Sequence, residues 1–366
     1  MGRIKLKKFI TFFMLILTVS IYAQIESNNQ NNTTKEGSVE KLKAEIKDYI
    51  NHHLLDSHDF NLFSYTTDAG EHKYIGFPLP VILIDNGLVF FSSSKLKHGK
   101  SIVEVKGNYY KLYHSKIIKT DANGTINYNK DQQLINQKPL DLSITKNVVF
   151  IIIVGLFMLL IFWRMSKSYK KNKAPKGISK FLEPIILYIR DDIAIPNIGK
   201  KHYEKYMSYL LTIFFFIWII NLLGLTPLGV NVTNNIAVAF ALALLTYLIT
   251  FFSGTKGYWK HIFWMPGVPT PMKIILAPIE LLGTVIKPFS LMIRLYANIT
   301  AGHIILMSII GLMFVFKNWI GSSLSFGMLF ALALLELLVA TLQAYIFTML
   351  SALYFGMAVE EHDEHH

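Results

Sequence analysis

Two apolar stretches near the C-terminus, Ile274–Phe316 and Leu324–Val359, are each longer than a bilayer is thick. As helices they would run about 64 Å and about 54 Å at 1.5 Å per residue, against a hydrocarbon core of ~30 Å. Such helices must tilt, bend or project beyond the lipid. Pro278 and Pro288 are bending points in the first. The pair reads as a long tilted helical hairpin turning near Lys317–Ser323, a shape suited to cradling a curved partner.

The rest of the chain supports a membrane class. Of 366 residues, 52% are hydrophobic and 16% charged, where soluble domains carry about 25% charged residues. Further spans are expected at Val148–Trp163, about Tyr206–Leu225 and about Ile236–Phe252, five crossings in all. The net charge of +12 does not point to nucleic acid. Its basic residues gather in Arg164, Lys167, Lys170, Lys171, Lys173, Lys176 and Lys180, directly after the first span, as on a cytoplasmic flank. The loop "TPLGVNVTNN" lacks Lys and Arg and fits the outer side. Lys256, Lys260 and Lys273 place the following loop inside. The C-terminus is then cytoplasmic. Between the first two of these spans, Leu182, Ile185, Ile186, Ile189 and Ile193 share one helical face opposite Arg190, Asp191 and Asp192. An interfacial amphipathic helix is expected there; a helix within a soluble loop domain is the alternative.

The N-terminal part reads differently. Arg3, Lys5, Lys7 and Lys8 precede a short apolar stretch ending at Ala23, so residues 1–23 read as a signal peptide, with an uncleaved anchor as the alternative. Residues 24–37 are polar and Asn-rich, a disordered linker. Residues 38–146 read as a small periplasmic α+β domain: a helical repeat over Val39–Ile50, a hairpin at Asn86-Gly87 and a second hairpin at Asp121–Gly124. His52, His53 and His58 lack the framing of a metal site and read as solvated. Residues 147–366 form the membrane domain. The chain has no cysteine, which excludes disulfides and thiolate chemistry. Its terminal "EEHDEHH" reads as a solvated tail, with metal binding as the alternative.

Intramembrane charge is the functional signal. An arginine at the centre of a membrane helix costs roughly 2.5–3.5 kcal/mol on insertion scales, and such residues are functional candidates. Glu280, Lys287 and Arg294 fall seven apart, and Ser290 and Asn298 flank Arg294 at four residues, drawing a polar stripe on one face. His303 lies nine residues beyond Arg294, roughly half a turn around. Glu336 and Gln343 share a face of the last helix. Plainer readings stand beside these. Lys287 as a snorkelling cation, Ser290 and Asn298 as backbone or interhelical partners, and an internal Arg294–Glu336 ion pair all fit the spacing.

"KPFSLMIRLYANITAGH" and "LLELLVATLQAYIFTMLSALYFGMA" resemble the a subunit of the F-type ATP synthase, and the resemblance extends from about residue 147 to the end. It implies a proton-translocating stator subunit, without enzymatic activity of its own and without cofactor or metal, in the cell inner membrane. Its implied partners are a ring of c subunits, the b subunits of a peripheral stalk and, indirectly, the F1 sector. Arg294 would then face the ring carboxylates and block proton leakage. Asn298 and Gln343 would line the path beside it. His303 and Glu336 would form an outer half-channel pair; some relatives carry the acid and the histidine exchanged between the two helices. Glu280 and Ser290, with Lys287 in a less defined role, would line the inner half-channel. Two other classes fit the chain less well. A stand-alone transporter favours internal repeats, and none is visible. A membrane hydrolase requires a nucleophile–base or metal constellation.

Overall fold

The computed structural model describes residues 56–66, 72–99, 101–130, 134–171, 177–226, 232–265, 267–315 and 319–360. The signal peptide, the linker, the Val39–Ile50 helix, His52, His53 and the acidic tail lie outside the described residues. By its contacts the chain divides into one unit of His53–Leu306 with Phe330–His366 and another that includes Met307–Leu329.

Short antiparallel strands come first. β1 (Asp59–Thr66) pairs β2 (His72–Pro78); β3 (Pro80–Ile84) pairs β4 (Leu88–Ser92) and β8 (Leu140–Asp141); β5 (Val103–Val105), β6 (Asn108–Tyr113) and β7 (Lys116–Thr120) form a meander. Alternation sets their inner face. Val81, Leu83, Val89 and Phe91 pack with Leu96, Val103, Tyr110 and Ile117, while Leu88 and Phe90 point outward. The β3–β4 hairpin turns at Asn86-Gly87 as the sequence predicts, with both residues at positive φ. Two tight turns went unread, Lys106-Gly107 and His114-Ser115, again with positive φ at both positions.

Two expectations are corrected here. A turn does close at Asp121–Gly124, through the Gly124 amide on the Asp121 carbonyl at 2.8 Å, but among the described residues no strand pairs with β7 across it. Only an isolated bridge forms beyond it, Tyr128 with Leu134, and the Lys119 amide is met by the Gln137 carbonyl at 2.9 Å. His58 is not solvated. It is 3% exposed, with Nε2 2.8 Å from Asp141 Oδ2, and it ties the start of β1 to β8.

Among the described residues, five helices are long and apolar enough to cross a membrane. They are α1 (Lys146–Lys171), α3 (Tyr203–Gly224), α4 (Ile236–Ser253), α6 (Thr270–Val315) and α7 (Trp319–Val359). α6 runs unbroken through Pro278 and Pro288. Trp319–Ser323, expected as part of the turn between the two long helices, is helical. α1 buries Phe150, Val154, Met158 and Met165 along one face and exposes Ile153, Phe157, Leu160 and Trp163 on others. A face like that is stable only against lipid or another apolar surface.

The amphipathic segment is α2 (Ile178–Tyr188), which continues through a π-helical turn at Ile189–Ala194 and a short helix at Ile195–Ile198. Leu182, Ile185, Ile186, Ile189 and Ile193 all pack into the core of the helical bundle, as their spacing predicts. Arg190 pairs on the outer side with Asp191, Nε to Oδ1 at 2.8 Å. α5 (Lys256–Phe263) is a short capped helix between α4 and α6, with the Thr255 hydroxyl accepting from the Tyr258 amide.

Two predictions follow from this packing. Gly356 of α7 lies so close to the Asn197 carbonyl that any Cβ would overlap it. Gly356→Ala should therefore destabilise the chain by about 1–3 kcal/mol, seen as a lower midpoint in thermal unfolding of the detergent-solubilised protein. In the sheets, the Lys119 ammonium 2.9 Å from Asp85 holds that carboxyl below its ordinary value. A carboxyl depressed in the folded state adds stability above its unfolded pKa and loses it as pH falls through the folded value. Amide exchange at β3 and β7 in the full chain should accelerate on acidification below about pH 4, and Asp85→Asn should remove most of that dependence.

Candidate functional site

α6 and α7 pack antiparallel, and two contacts fix their register. Near one end, Lys287 Nζ lies 3.9 Å from Met357 Sδ and 5.8 Å from the centre of the Tyr354 ring. Four to six turns away, the Glu336 carboxylate rests on Gly302, where a methyl group would sit 3.1 Å from Oε1. Glycine there admits a carboxylate between the helices. Gln343 then falls level with the Arg294–Asn298 turn.

Arg294 is half-buried, among Leu291 and Leu295 of its own helix, both nearly inaccessible. The Tyr354 phenol of α7 lies within reach of its charge. Among the described residues, no carboxylate of the same chain forms an ion pair with it. The internal Arg294–Glu336 pair is thereby excluded: Glu336 stands two turns farther along, against Gly302. Ser290 and Asn298 are exposed on either side of Arg294, and Gln343 is buried on α7 at 3%. The polar stripe is therefore open to the surroundings at Ser290, Arg294 and Asn298.

His303 and Glu336 are each only 6% exposed, on facing helices one residue out of level. Their separation in sequence hides this closeness. Thr300, one turn before His303, donates to the Asn234 side chain ahead of α4. Lys146, the first residue of α1, also acts electrostatically on His303. At the other end, Glu280 is half-buried and within electrostatic range of Tyr258 in α5. Lys287 reaches across to α7 and helps to line a narrow crevice with Thr250, Tyr258, Thr284 and Tyr354. The sequence residues thus fall into three groups: Glu280 and Lys287 at one end, Ser290, Arg294, Asn298 and Gln343 in the middle, His303 and Glu336 at the other.

The model for the ATP synthase A chain family matches residues 148–356, more than half of the sequence. The chain belongs to that family. A second model, for a domain of unknown function (DUF8433), matches residues 49–142. ATP synthase subunit a 2 of Chlorobaculum tepidum is 46% identical over 234 residues, 62% of this chain and 66% of that protein. ATP synthase subunit a of Chloroherpeton thalassium is 45% identical over 233 residues, 62% and 69% of the two chains. Subunit a 2 of Prosthecochloris aestuarii is 37% identical over 309 residues, 78% of this chain and 92% of that one. The chain therefore spans 66% of the first relative's length and nearly all of the third's.

Sequence reasoning missed Tyr354, Thr300 with Asn234, and Lys146. Tyr354 carried a readable signal, since it lies 18 residues from Glu336, five whole helical turns at 3.6 residues each. Lys146 carried none. It looks like one more flanking cation, and only the fold brings it near His303.

The absence of cysteine makes the helix register directly testable. A Lys287→Cys, Met357→Cys double variant should cross-link efficiently with a short thiol reagent. A Lys287→Cys, Glu336→Cys pair, roughly 30 Å apart along the helices, should not. Equal yields from both would overturn the register.

Proposed function

We propose that this chain is the proton-translocating stator subunit of an ATP synthase, working through two half-channels on either side of Arg294. As a family member it is a multi-pass membrane subunit of the Fo sector, and nucleotide chemistry belongs to other chains. The observation that carries the reading is a half-buried guanidinium on an apolar helix with no acid among the described residues paired to it. A buried unpaired charge is costly, and this one is offered to a partner instead. That partner would be the membrane carboxylate of each c subunit in turn.

In this mechanism a ring carboxylate arrives protonated and gives its proton to one aqueous path. It passes Arg294 as an anion and is reprotonated from the other path. A guanidinium keeps its charge in proteins, so the arginine is not itself a proton carrier. Its fixed charge stabilises the passing carboxylate and repels a hydronium ion that would cross directly. His303 and Glu336 form the outer proton relay, while Asn298 and Gln343 line the approach to Arg294. Glu280 and Ser290, with Lys287 beside them, line the inner path that opens toward the crevice at Tyr258 and Tyr354. The extramembrane sheets lie on the periplasmic side of the inner membrane and the C-terminus on the cytoplasmic side. The b subunits of the peripheral stalk hold the chain against rotation.

Membrane vesicles carrying the complete ATP synthase test this. Arg294→Ala should reduce ATP-driven proton pumping by roughly 100-fold or more, as loss of a dominant electrostatic partner does. His303→Ala or Glu336→Ala should slow it roughly tenfold or more. Undiminished pumping by Arg294→Ala would end the reading, and undiminished pumping by both of the others would reduce that pair to packing.

A further inference from the structure

The extramembrane region has no part in the mechanism above, yet one of its side chains reaches the membrane helices. Asp56 lies within the span of the DUF8433 model and precedes β1. Its Oδ1 accepts from the Asn147 amide in the first turn of α1, and its Oδ2 from Asn235 Nδ2, both at 3.4 Å. Asn235 caps α4 with its other side-chain atom, accepting from the Ala237 amide at 3.0 Å. Thr145 also hydrogen-bonds Asp56, and the charges of Lys146 and His58 act on it.

From Asp56 a series of hydrogen bonds and electrostatic links leads towards Glu336. Lys146 is electrostatically linked to Asp56 on one side and to His303 on the other. Asn234, the neighbour of Asn235, accepts from Thr300, one helical turn from His303. Gly302, adjoining His303, carries the Glu336 carboxylate. Beside this route, Asn147 is 5% exposed and Asn221 3%, and Asn147 Oδ1 and Asn221 Nδ2 find no partner within the protein. Asn221 Oδ1 accepts from Thr233 at 2.9 Å. Buried amide atoms of that kind are places where ordered water bonds. The route is polar from the sheets to the acid between the long helices.

We propose that Asp56 is the loading group of the outer proton path, so that the extramembrane region collects protons for the His303–Glu336 relay. This rests on the function proposed above. A carboxylate at the mouth captures a proton from dilute solution and passes it inward through water. The adjacent Lys146 charge discourages retention of the proton and favours its onward release. Burial pushes the Asp56 carboxyl above its ordinary value, towards the pH at which protons must be captured.

The test uses the complete ATP synthase in liposomes, with ATP synthesis driven by a fixed potassium-diffusion potential. The pH on the side of the extramembrane region is varied. Asp56→Asn should slow synthesis roughly tenfold at mildly alkaline pH, less than the ~10²–10⁴-fold of a positioned acid–base group, because water keeps a slower route. The deficit should vanish at acidic pH and shrink when a mobile buffer is added on that side. Asp85→Asn, whose partners Lys119 and Tyr110 belong to the sheets, should show no such pH profile. Wild-type rates for Asp56→Asn at every pH would overturn the inference. So would a uniform loss that buffer leaves unchanged, which would mark Asp56 as a structural contact. Arg294→Ala in the same liposomes separates the two readings: its activity would fail the proposed function, whereas its inactivity beside a wild-type Asp56→Asn profile fails this inference alone.

Discussion

A cation fixed on an apolar helix, with no acid among the described residues paired to it, sets the terms for the rest of the molecule. A guanidinium keeps its charge, and lipid offers it no hydration. It must therefore stand where another molecule brings negative charge or water reaches it. Its surroundings fit that demand. Ser290 and Asn298 keep its flanks polar and exposed, while Leu291 and Leu295 seal the opposite side. The nearest acid on α7, Glu336, is held two turns away on Gly302. Had Glu336 stood level with Arg294, the two would have formed an internal pair and left nothing for a passing carboxylate.

The apolar surface has the same logic. Ile275, Ile279, Leu282, Ile286, Phe289 and Ile293 of α6 are all between 48% and 64% exposed. In water such a row would be an aggregation surface. In a membrane it is the ordinary face toward lipid or an adjoining helix, and Arg294 interrupts it. Polar groups that are buried gather elsewhere, along Asn147, Asn221, Thr233, His303 and Glu336. The helices thus separate an outward apolar face, edged by the stripe of Glu280, Lys287 and Arg294, from an inner polar seam.

Much of this was legible beforehand because it follows from periodicity. Leu182, Ile185, Ile186, Ile189 and Ile193 recur at helical spacing, and all five are packed into the core. Asn86-Gly87 demands positive φ and forms the expected turn. Asp121–Gly124 shows the limit: its residues specify a turn, but a hairpin also needs a second strand, and the polar segment that follows supplies none. His58 shows another. A histidine among histidines looked solvated, and only the pairing of β8 with β3 brought Asp141 to it. At the site, the seven-residue spacing of Glu280, Lys287 and Arg294 was visible, while the closeness of Glu336 to the His303 turn required the register of two helices.

The order of charges along each helix, the number and length of the spans and the class of the protein were therefore determined by sequence alone. Hydropathy and helical repeat are local properties, and lipid leaves the backbone few alternatives to helix. Which polar groups meet across helices was decided only by tertiary structure. Contacts such as Glu336 with Gly302 or Asp56 with Asn147 join residues 34 and 91 positions apart. Nothing local in the chain specifies them; they follow from how the side chains of α6, α7 and the sheet region fill one another's space.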